Sequence, residues 1–140
     1  MKKIFSIFIL FYLLLLGAAE AEAVNSYDKY GVNTGSYKKT TSGYNTYDKY
    51  GAKTGAYKKT LSGYNSYDKY GIKKGSLKKT NTGYNSYNKY GQKTGSYKKT
   101  SDRRVIKYDK YGVKTGSFKK DSTGRITEYD KYGKKVRSYK

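Results

Sequence analysis

The chain contains no histidine, cysteine, tryptophan or proline, and it has a single methionine. Without imidazole or thiolate ligands it cannot build the usual centres for zinc, haem or iron–sulfur clusters. A Ser-His-Asp or Cys-His catalytic set is excluded for the same reason. Disulfide bonds are excluded too, so any fold must be held by side-chain packing and backbone hydrogen bonds. We therefore expect no cofactor and no enzymatic activity.

Acidic and aliphatic residues are also scarce. The chain of 140 residues has 31 Lys and Arg against 10 Asp and Glu, which gives a formal net charge of +21. After residue 23 only ten Val, Ile and Leu residues remain, too few for an ordinary aliphatic core. Because the chain has 20 tyrosines, tyrosine must supply any core. The excess of positive charge predicts an anionic partner.

The first 23 residues have the pattern of a signal peptide. Two lysines precede an apolar run from Ile4 to Leu16, and Ala21-Glu22-Ala23 is a small-x-small cleavage site. We predict a signal peptide at residues 1–23 and export to the periplasm, cell surface or medium. Residues 24–140 would then form a Tyr/Lys/Gly-rich tandem repeat domain. The alternative is an uncleaved amino-terminal anchor.

Six tandem repeats fill the rest of the chain. The motif Tyr-Asp-Lys-Tyr-Gly, with Asn for Asp in the fourth copy, begins near residues 27, 47, 67, 87, 108 and 129. Tyr and Thr favour strands, and the Asp and Gly of the motif favour a tight turn. We predict an all-β fold of six tandem β-hairpins that form a small solenoid or an extended repeat sheet. The alternative is a largely disordered mature chain, because of its high charge.

Stacking of equivalent units would place their side chains in two ladders. One ladder accepts only Tyr, Leu and Phe, as an inward-facing position should. Its members are Tyr37, Tyr57, Leu77, Tyr97, Phe118 and Tyr139. The other ladder could stack on sugar rings or cations, and we predict that it contributes to binding. This aromatic ladder consists of Tyr27, Tyr47, Tyr67, Tyr87, Tyr108 and Tyr129.

The units resemble the YD repeats of Rhs-type bacterial secreted and surface proteins. The closest stretch, Gly124-Arg125-Ile126-Thr127 with the following Tyr129-Asp130 and Gly133, is similar to that family's Gly-Arg-Leu-Thr and Tyr-Asp-x-x-Gly. The resemblance implies antiparallel β-hairpins, an extracellular setting and a role in carbohydrate binding or toxin encapsulation. A weaker resemblance, to the aromatic cell-wall-binding repeats of choline- and glucan-binding proteins, implies hairpins stacked in a solenoid.

A pair of lysines recurs once per unit in five of the units. The lysines are Lys38, Lys39, Lys58, Lys59, Lys78, Lys79, Lys98, Lys99, Lys119 and Lys120. Five pairs at fixed spacing would form a positive stripe for a polyanion that itself repeats. The predicted partners are anionic polysaccharide, teichoic acid or lipopolysaccharide. The signal peptide argues against cytoplasmic nucleic acid, and self-association is a further option. Alternatively, the lysines only protect exposed strand edges from aggregation.

One acidic residue follows the first Tyr of five units, and Asn88 takes its place in the fourth. One carboxylate per unit is far fewer than the oxygens that calcium needs, so we predict a turn-capping role. The sequence as a whole predicts a secreted, non-enzymatic repeat protein that binds anionic envelope or matrix polymers through Lys pairs and Tyr ladders. The alternatives are a structural or adhesive Tyr-rich protein and a cationic membrane-active or toxin-associated YD-repeat factor. Membrane activity usually needs an amphipathic helix, which this sequence lacks.

Overall fold

The computed structural model describes residues 23–140, which form twelve strands and no helix. The predicted signal peptide lies outside the described residues, apart from Ala23. The strands are β1 (Ala23–Asp28), β2 (Asn33–Thr40), β3 (Gly43–Asp48), β4 (Lys53–Thr60), β5 (Gly63–Asp68), β6 (Lys73–Lys79), β7 (Gly83–Asn88), β8 (Lys93–Lys99), β9 (Arg104–Asp109), β10 (Lys114–Lys120), β11 (Ile126–Asp130) and β12 (Lys135–Tyr139). Within this part of the chain no helix is long and apolar enough to cross a membrane.

The twelve strands form one antiparallel sheet that closes on itself. Each strand pairs with its sequence neighbours, and β1 completes the barrel by pairing with β12. The all-β prediction with hairpin repeats is confirmed. The predicted solenoid or extended sheet is wrong, because such a sheet would leave the outer backbone groups of β1 and β12 unpaired, whereas closure pairs both edges. The disordered alternative does not hold for these residues.

The closing contact repeats the pairing that joins one unit to the next. Tyr27 of β1 lies opposite Ser138 of β12, just as Tyr67 of β5 lies opposite Ala56 of β4. The first unit therefore occupies the place that a seventh unit would take. The closing pair thus uses the same register as the pairs between successive units. Closure therefore requires no additional strand.

A tight turn at the Asp-Lys-Tyr-Gly segment joins the two strands of each hairpin. In the second unit, Gly51 N donates to the Asp48 carbonyl at 3.1 Å, and Asp48 N donates to the Ala52 carbonyl at 2.9 Å. Gly51 has a φ of +82°, which glycine adopts without a Cβ penalty. A register shift follows in the strand pair, as in hairpin loops that combine a type I turn with a bulge. These turns lie at one end of the barrel, the Asp-turn end. The connections between units lie at the other, the junction end.

One side chain from every strand forms the core inside the barrel. The twelve are Val24, Tyr37, Tyr44, Tyr57, Tyr64, Leu77, Tyr84, Tyr97, Val105, Phe118, Ile126 and Tyr139, all 7% exposed or less. Seven are tyrosines, and the set contains the whole predicted inward ladder. The prediction that tyrosine supplies the core is therefore confirmed.

Burial in the core affects the ionisation of the tyrosines and predicts that alkali destabilises the barrel. Desolvation raises the pKa of Tyr64 from 10.0 to about 12, and it also raises the pKa of Tyr44, Tyr84, Tyr97 and Tyr139. The folded protein then retains phenolic protons that the unfolded chain releases. This stabilisation is complete below pH 10.0 and is lost as the pH rises through about 12.

The check is urea unfolding at a series of alkaline pH values, followed by circular dichroism. Lysine side chains in general lose their charge over the same pH range, which weakens repulsion in every variant, so the test is the difference between two proteins. The midpoint of the unmodified protein should fall relative to that of Tyr64→Phe as the pH rises above the ordinary tyrosine pKa. The same pH dependence in both proteins would contradict the description of the core.

A second prediction concerns the close approach of the backbones where each unit begins. A Cβ atom on Gly63 would lie 1.9 Å from the Leu77 carbonyl oxygen, so Gly63→Ala must push β5 away from β6. We expect a loss of about 1–3 kcal/mol in the free energy of unfolding. The matched control is Ser62→Ala, whose side chain is exposed in the adjacent turn. Equal stability of the two variants in urea would show that the strands are not in this register.

Candidate functional site

The two lysines of each predicted pair point to opposite faces of the sheet. Strand residues alternate between faces, and Lys59 is in register with the buried Tyr64, whereas Lys58 is in register with Asn65. The structure thus places the pairs in two rings rather than in one stripe. The outer wall carries Lys38, Lys58, Lys78, Lys98 and Lys119. The lumen side of the junction end carries Lys39, Lys59, Lys79, Lys99 and Lys120.

On the outer wall, lysines lie over tyrosine rings of the neighbouring strand. The Nζ atoms of four lysines are between 5.1 and 5.4 Å from the ring centroids. We call these residues the outer belt: Lys38 with Tyr47, Lys58 with Tyr67, Lys78 with Tyr87, and Lys98 with Tyr108. The geometry is that of a cation–π contact. It brings together the outer lysines and the predicted aromatic ladder.

The ladder tyrosines are half-buried because each lies opposite a small residue of the next strand. Tyr67 is in register with Ala56, and Tyr108 with Ser96. Both small residues are buried. Tyr27 and Tyr129 occupy the corresponding places opposite Ser138 and Ser117. Part of each ring is therefore packed against the wall, and the rest is exposed to solvent.

Sequence reasoning missed a second set of tyrosines at the Asp-turn end. The second Tyr of every Tyr-Asp-Lys-Tyr-Gly motif lies on the turn and is 76–82% exposed. The preceding Lys places its Nζ 4.8–4.9 Å from the ring centroid. We call these residues the turn crown: Tyr30, Tyr50, Tyr70, Tyr90, Tyr111 and Tyr132 with Lys29, Lys49, Lys69, Lys89, Lys110 and Lys131. The sequence feature that could have identified them is the Tyr present in all six turns, because the backbone of such a turn requires no aromatic ring.

The acidic residues of the motif hold the turns together. Asp48 Oδ1 accepts hydrogen bonds from Tyr50 N and Ala52 N, both at 2.9 Å. Asn88 accepts the equivalent two bonds at 3.0 Å in the fourth unit. The predicted turn-capping role is therefore confirmed. These carboxylates are committed to backbone amides and do not offer a clustered acidic site.

The third unit adds an ion pair to this turn. Lys74 Nζ lies 3.3 Å from Asp68 Oδ2. The hydrogen bond from Ile72 N, followed by those from Lys74 and Tyr70 N, holds the pKa of the Asp68 carboxyl below its ordinary value. The contribution of Asp68 to stability is therefore present above the ordinary pKa and is lost as the pH falls through the folded-state pKa.

The Asp-turn half of the barrel contains a cavity of about 820 Å³. Its lining combines small residues such as Thr46, Gly55 and Ser66 with tyrosines, including Tyr57 of the core and Tyr50 of the turn crown, and with charged side chains. Neighbouring hydroxyls bond one another across the strands, as between Thr46 Oγ1 and Thr54 Oγ1 at 2.8 Å. Hydroxyl, aromatic and charged groups therefore all line the cavity.

In the last two units, three charged side chains replace small residues on the lumen side of the strands. Lys107 and Glu128 stand where four earlier units have Ser or Thr, and Arg137 stands where five earlier units have Gly. The Tyr139 hydroxyl donates to Glu128 Oε2 at 3.0 Å. Burial raises the pKa of the Glu128 carboxyl, although Tyr139, Arg137 and Lys107 oppose the rise. Burial also lowers the pKa of Lys107, which Glu128 opposes. The cluster therefore partly compensates its own charge.

Residues 23–140 contain no group of three or more His, Cys, Asp or Glu side chains that could hold a metal ion. No family model, curated protein or solved structure matches the chain. The resemblance to YD repeats and to cell-wall-binding repeats therefore stays a prediction. The outer belt and the turn crown are two surfaces on which lysine and tyrosine side chains meet.

The turn geometry predicts different outcomes for two substitutions of the same residue. Asp48→Ala removes the acceptor of two backbone amides, and we expect it to lower the free energy of unfolding by about 0.5–1.5 kcal/mol. Asp48→Asn should be nearly neutral, because Asn88 already makes the same bonds in the fourth unit. Chemical denaturation of both variants is the measurement. A similar loss in both would mean that the carboxylate charge, and not turn capping, is what matters.

Proposed function

We propose that the protein is a secreted, non-enzymatic binding protein for anionic polymers of the cell envelope or matrix. The observation that supports the proposal best is the outer belt, which presents the same lysine and tyrosine pair on alternate strands of one continuous wall. The ligand class comprises anionic polysaccharide, teichoic acid and lipopolysaccharide. Lysine would attract the anionic groups, and the open part of each tyrosine would contact the sugar or polyol backbone.

The spacing of the belt suits a polymer. Strands lie about 4.8 Å apart, so equivalent residues on alternate strands recur about every 9–10 Å around the barrel. A repeating polyanion can engage several such positions at once, and each additional contact is then intramolecular. Weak individual contacts can thus add up to stable binding.

Closure of the barrel removes a competing explanation for the lysines. Charged residues often protect exposed strand edges from pairing with other chains. Among residues 23–140 every strand is paired on both sides, so the belt lysines protect no edge. A role in attracting an external anion accounts for their regular placement on the wall.

The exposed tyrosines of the turn crown favour a second candidate, a structural or adhesive Tyr-rich protein. Six tyrosines that are each at least 76% exposed could be oxidatively cross-linked or could adhere to other surfaces. This candidate does not need the outer belt. The two proposals therefore differ in which substitutions matter.

The test compares lysines from the same two pairs. Lys58→Gln with Lys78→Gln removes two belt charges, and the matched control Lys59→Gln with Lys79→Gln removes two charges on the other face. Co-sedimentation with polygalacturonate, teichoic acid and lipopolysaccharide would be measured between about 50 mM and 200 mM salt. We expect the belt variant to bind more weakly and to reduce the slope of log affinity against log salt by about two. The control should retain most of the affinity.

Three outcomes would contradict the proposal. An unchanged salt slope in the belt variant would show that these lysines do not contact the anion. An equal loss in both variants would indicate attraction by net charge alone. No retention of the unmodified protein on any of the polymers at low salt would instead favour the structural or adhesive candidate.

A further inference from the structure

The turn crown combines three kinds of side chain at one end of the barrel. It contains six tyrosines and six lysines. In three of the turns it also contains an aliphatic residue, two positions after the tyrosine. These are Val32, Ile72 and Val113, which are 57–59% exposed. A turn needs none of these side chains for its backbone geometry. The Asp-turn end is therefore apolar and aromatic far beyond what the fold demands.

The charge of the crown is positive at its surface. Each turn has one Lys and one acidic residue or Asn88, but the acidic side chain is drawn inward. Asp48 Oδ1, for example, is occupied by two backbone amides, whereas the Nζ of Lys49 lies over the exposed Tyr50 ring at 4.8 Å. The outermost groups are thus tyrosine rings, ammonium groups and a few aliphatic side chains.

This combination matches the chemistry of an anionic lipid surface. Tyrosine is enriched at the level of lipid headgroups, lysines near the surface are attracted to anionic lipids at about 1 kcal/mol each, and aliphatic side chains gain by reaching the acyl boundary. A soluble polyanion would use the rings and the lysines, but it offers nothing to Val32, Ile72 and Val113. The observations therefore favour a lipid surface over a second polymer site.

We propose that the turn crown is a peripheral docking surface for an anionic lipid bilayer, with the barrel axis directed towards the membrane. The six turns would contact headgroups together, so each adds to the avidity of the others. The outer belt remains free on the barrel wall. Docking of this kind is independent of polymer binding and would place the belt close to the envelope.

The experiment uses vesicles of phosphatidylcholine with or without phosphatidylglycerol and no polysaccharide. Tyr50→Ser, Tyr70→Ser and Tyr90→Ser together remove half of the crown rings without touching the core. We expect the unmodified protein to co-sediment with the anionic vesicles, and the triple variant to bind about tenfold more weakly or worse. Brominated lipids should quench tyrosine emission of the unmodified protein, and this quenching should be reduced in the variant.

A charge-matched comparison distinguishes docking by the crown from general attraction. Lys49→Gln, Lys69→Gln and Lys89→Gln neutralise three crown lysines, whereas Lys59→Gln, Lys79→Gln and Lys99→Gln neutralise three lysines at the opposite end. The crown variant should lose much more vesicle binding than the junction-end variant. Circular dichroism of each variant confirms that the barrel is intact.

Several results would overturn the proposal. These are no binding to anionic vesicles, full binding by the triple serine variant, or equal losses from the two lysine variants. A triple serine variant that loses polymer retention but keeps vesicle binding would assign the crown to sugar stacking instead. Because the vesicles contain no polymer, failure here leaves the outer belt proposal intact, and failure of the belt test leaves this one intact.

Discussion

The pairing of β1 with β12 is the contact on which the whole structure depends. The core consists of one inward side chain from each of the twelve strands, so no single hairpin can bury its own tyrosine. In an open sheet the same side chains would lie on an exposed face. Once the sheet closes, each tyrosine is surrounded by the others, and rings of this size bury a large apolar area. Most repeat proteins gain stability from nearest neighbours. Here every unit depends on the complete ring.

The net charge of +21 works against this compact arrangement. Ion pairs within residues 23–140 include Lys74 with Asp68 and Arg104 with Asp102, but the 10 acidic residues of the chain cannot neutralise its 31 basic ones. Lysines instead lie over tyrosine rings, a contact worth about 0.5–1 kcal/mol at exposed sites. The remaining repulsion destabilises the folded state. An anionic surface or polymer that binds only the folded barrel would relieve that repulsion and stabilise the protein. Such binding would couple folding to the ligand through the same lysines.

Local features could be predicted from the sequence because each is determined within one unit. The position of Tyr57 is occupied by Leu77 and Phe118 in two other units, which identified it as inward-facing. The Asp and Gly of the motif identified the turn. Closure could not be predicted, because it depends on strand tilt and stagger summed over twelve strands. The division of each Lys pair between two faces was predictable from strand alternation. Tyr50 and its equivalents could not be assigned a role from the sequence, because the Asp and Gly of the motif already account for the turn.

The last unit differs from the others where the ring closes. Five units place a Gly opposite the Asp or Asn of the next unit, but the closing pair sets Arg137 opposite Asp28. Arg137 also faces Glu128 across its own hairpin. A charge in the lumen is costly unless compensated, and here carboxylates stand in register on both sides. The pairing of β12 with β1 keeps the register of the pairs between successive units, but it covers three residue pairs, whereas those cover five or six. The closing pair therefore has fewer backbone contacts than the others. Arg137, in register with Asp28 and Glu128, adds a charged contact at the closing pair where the other five pairs have Gly.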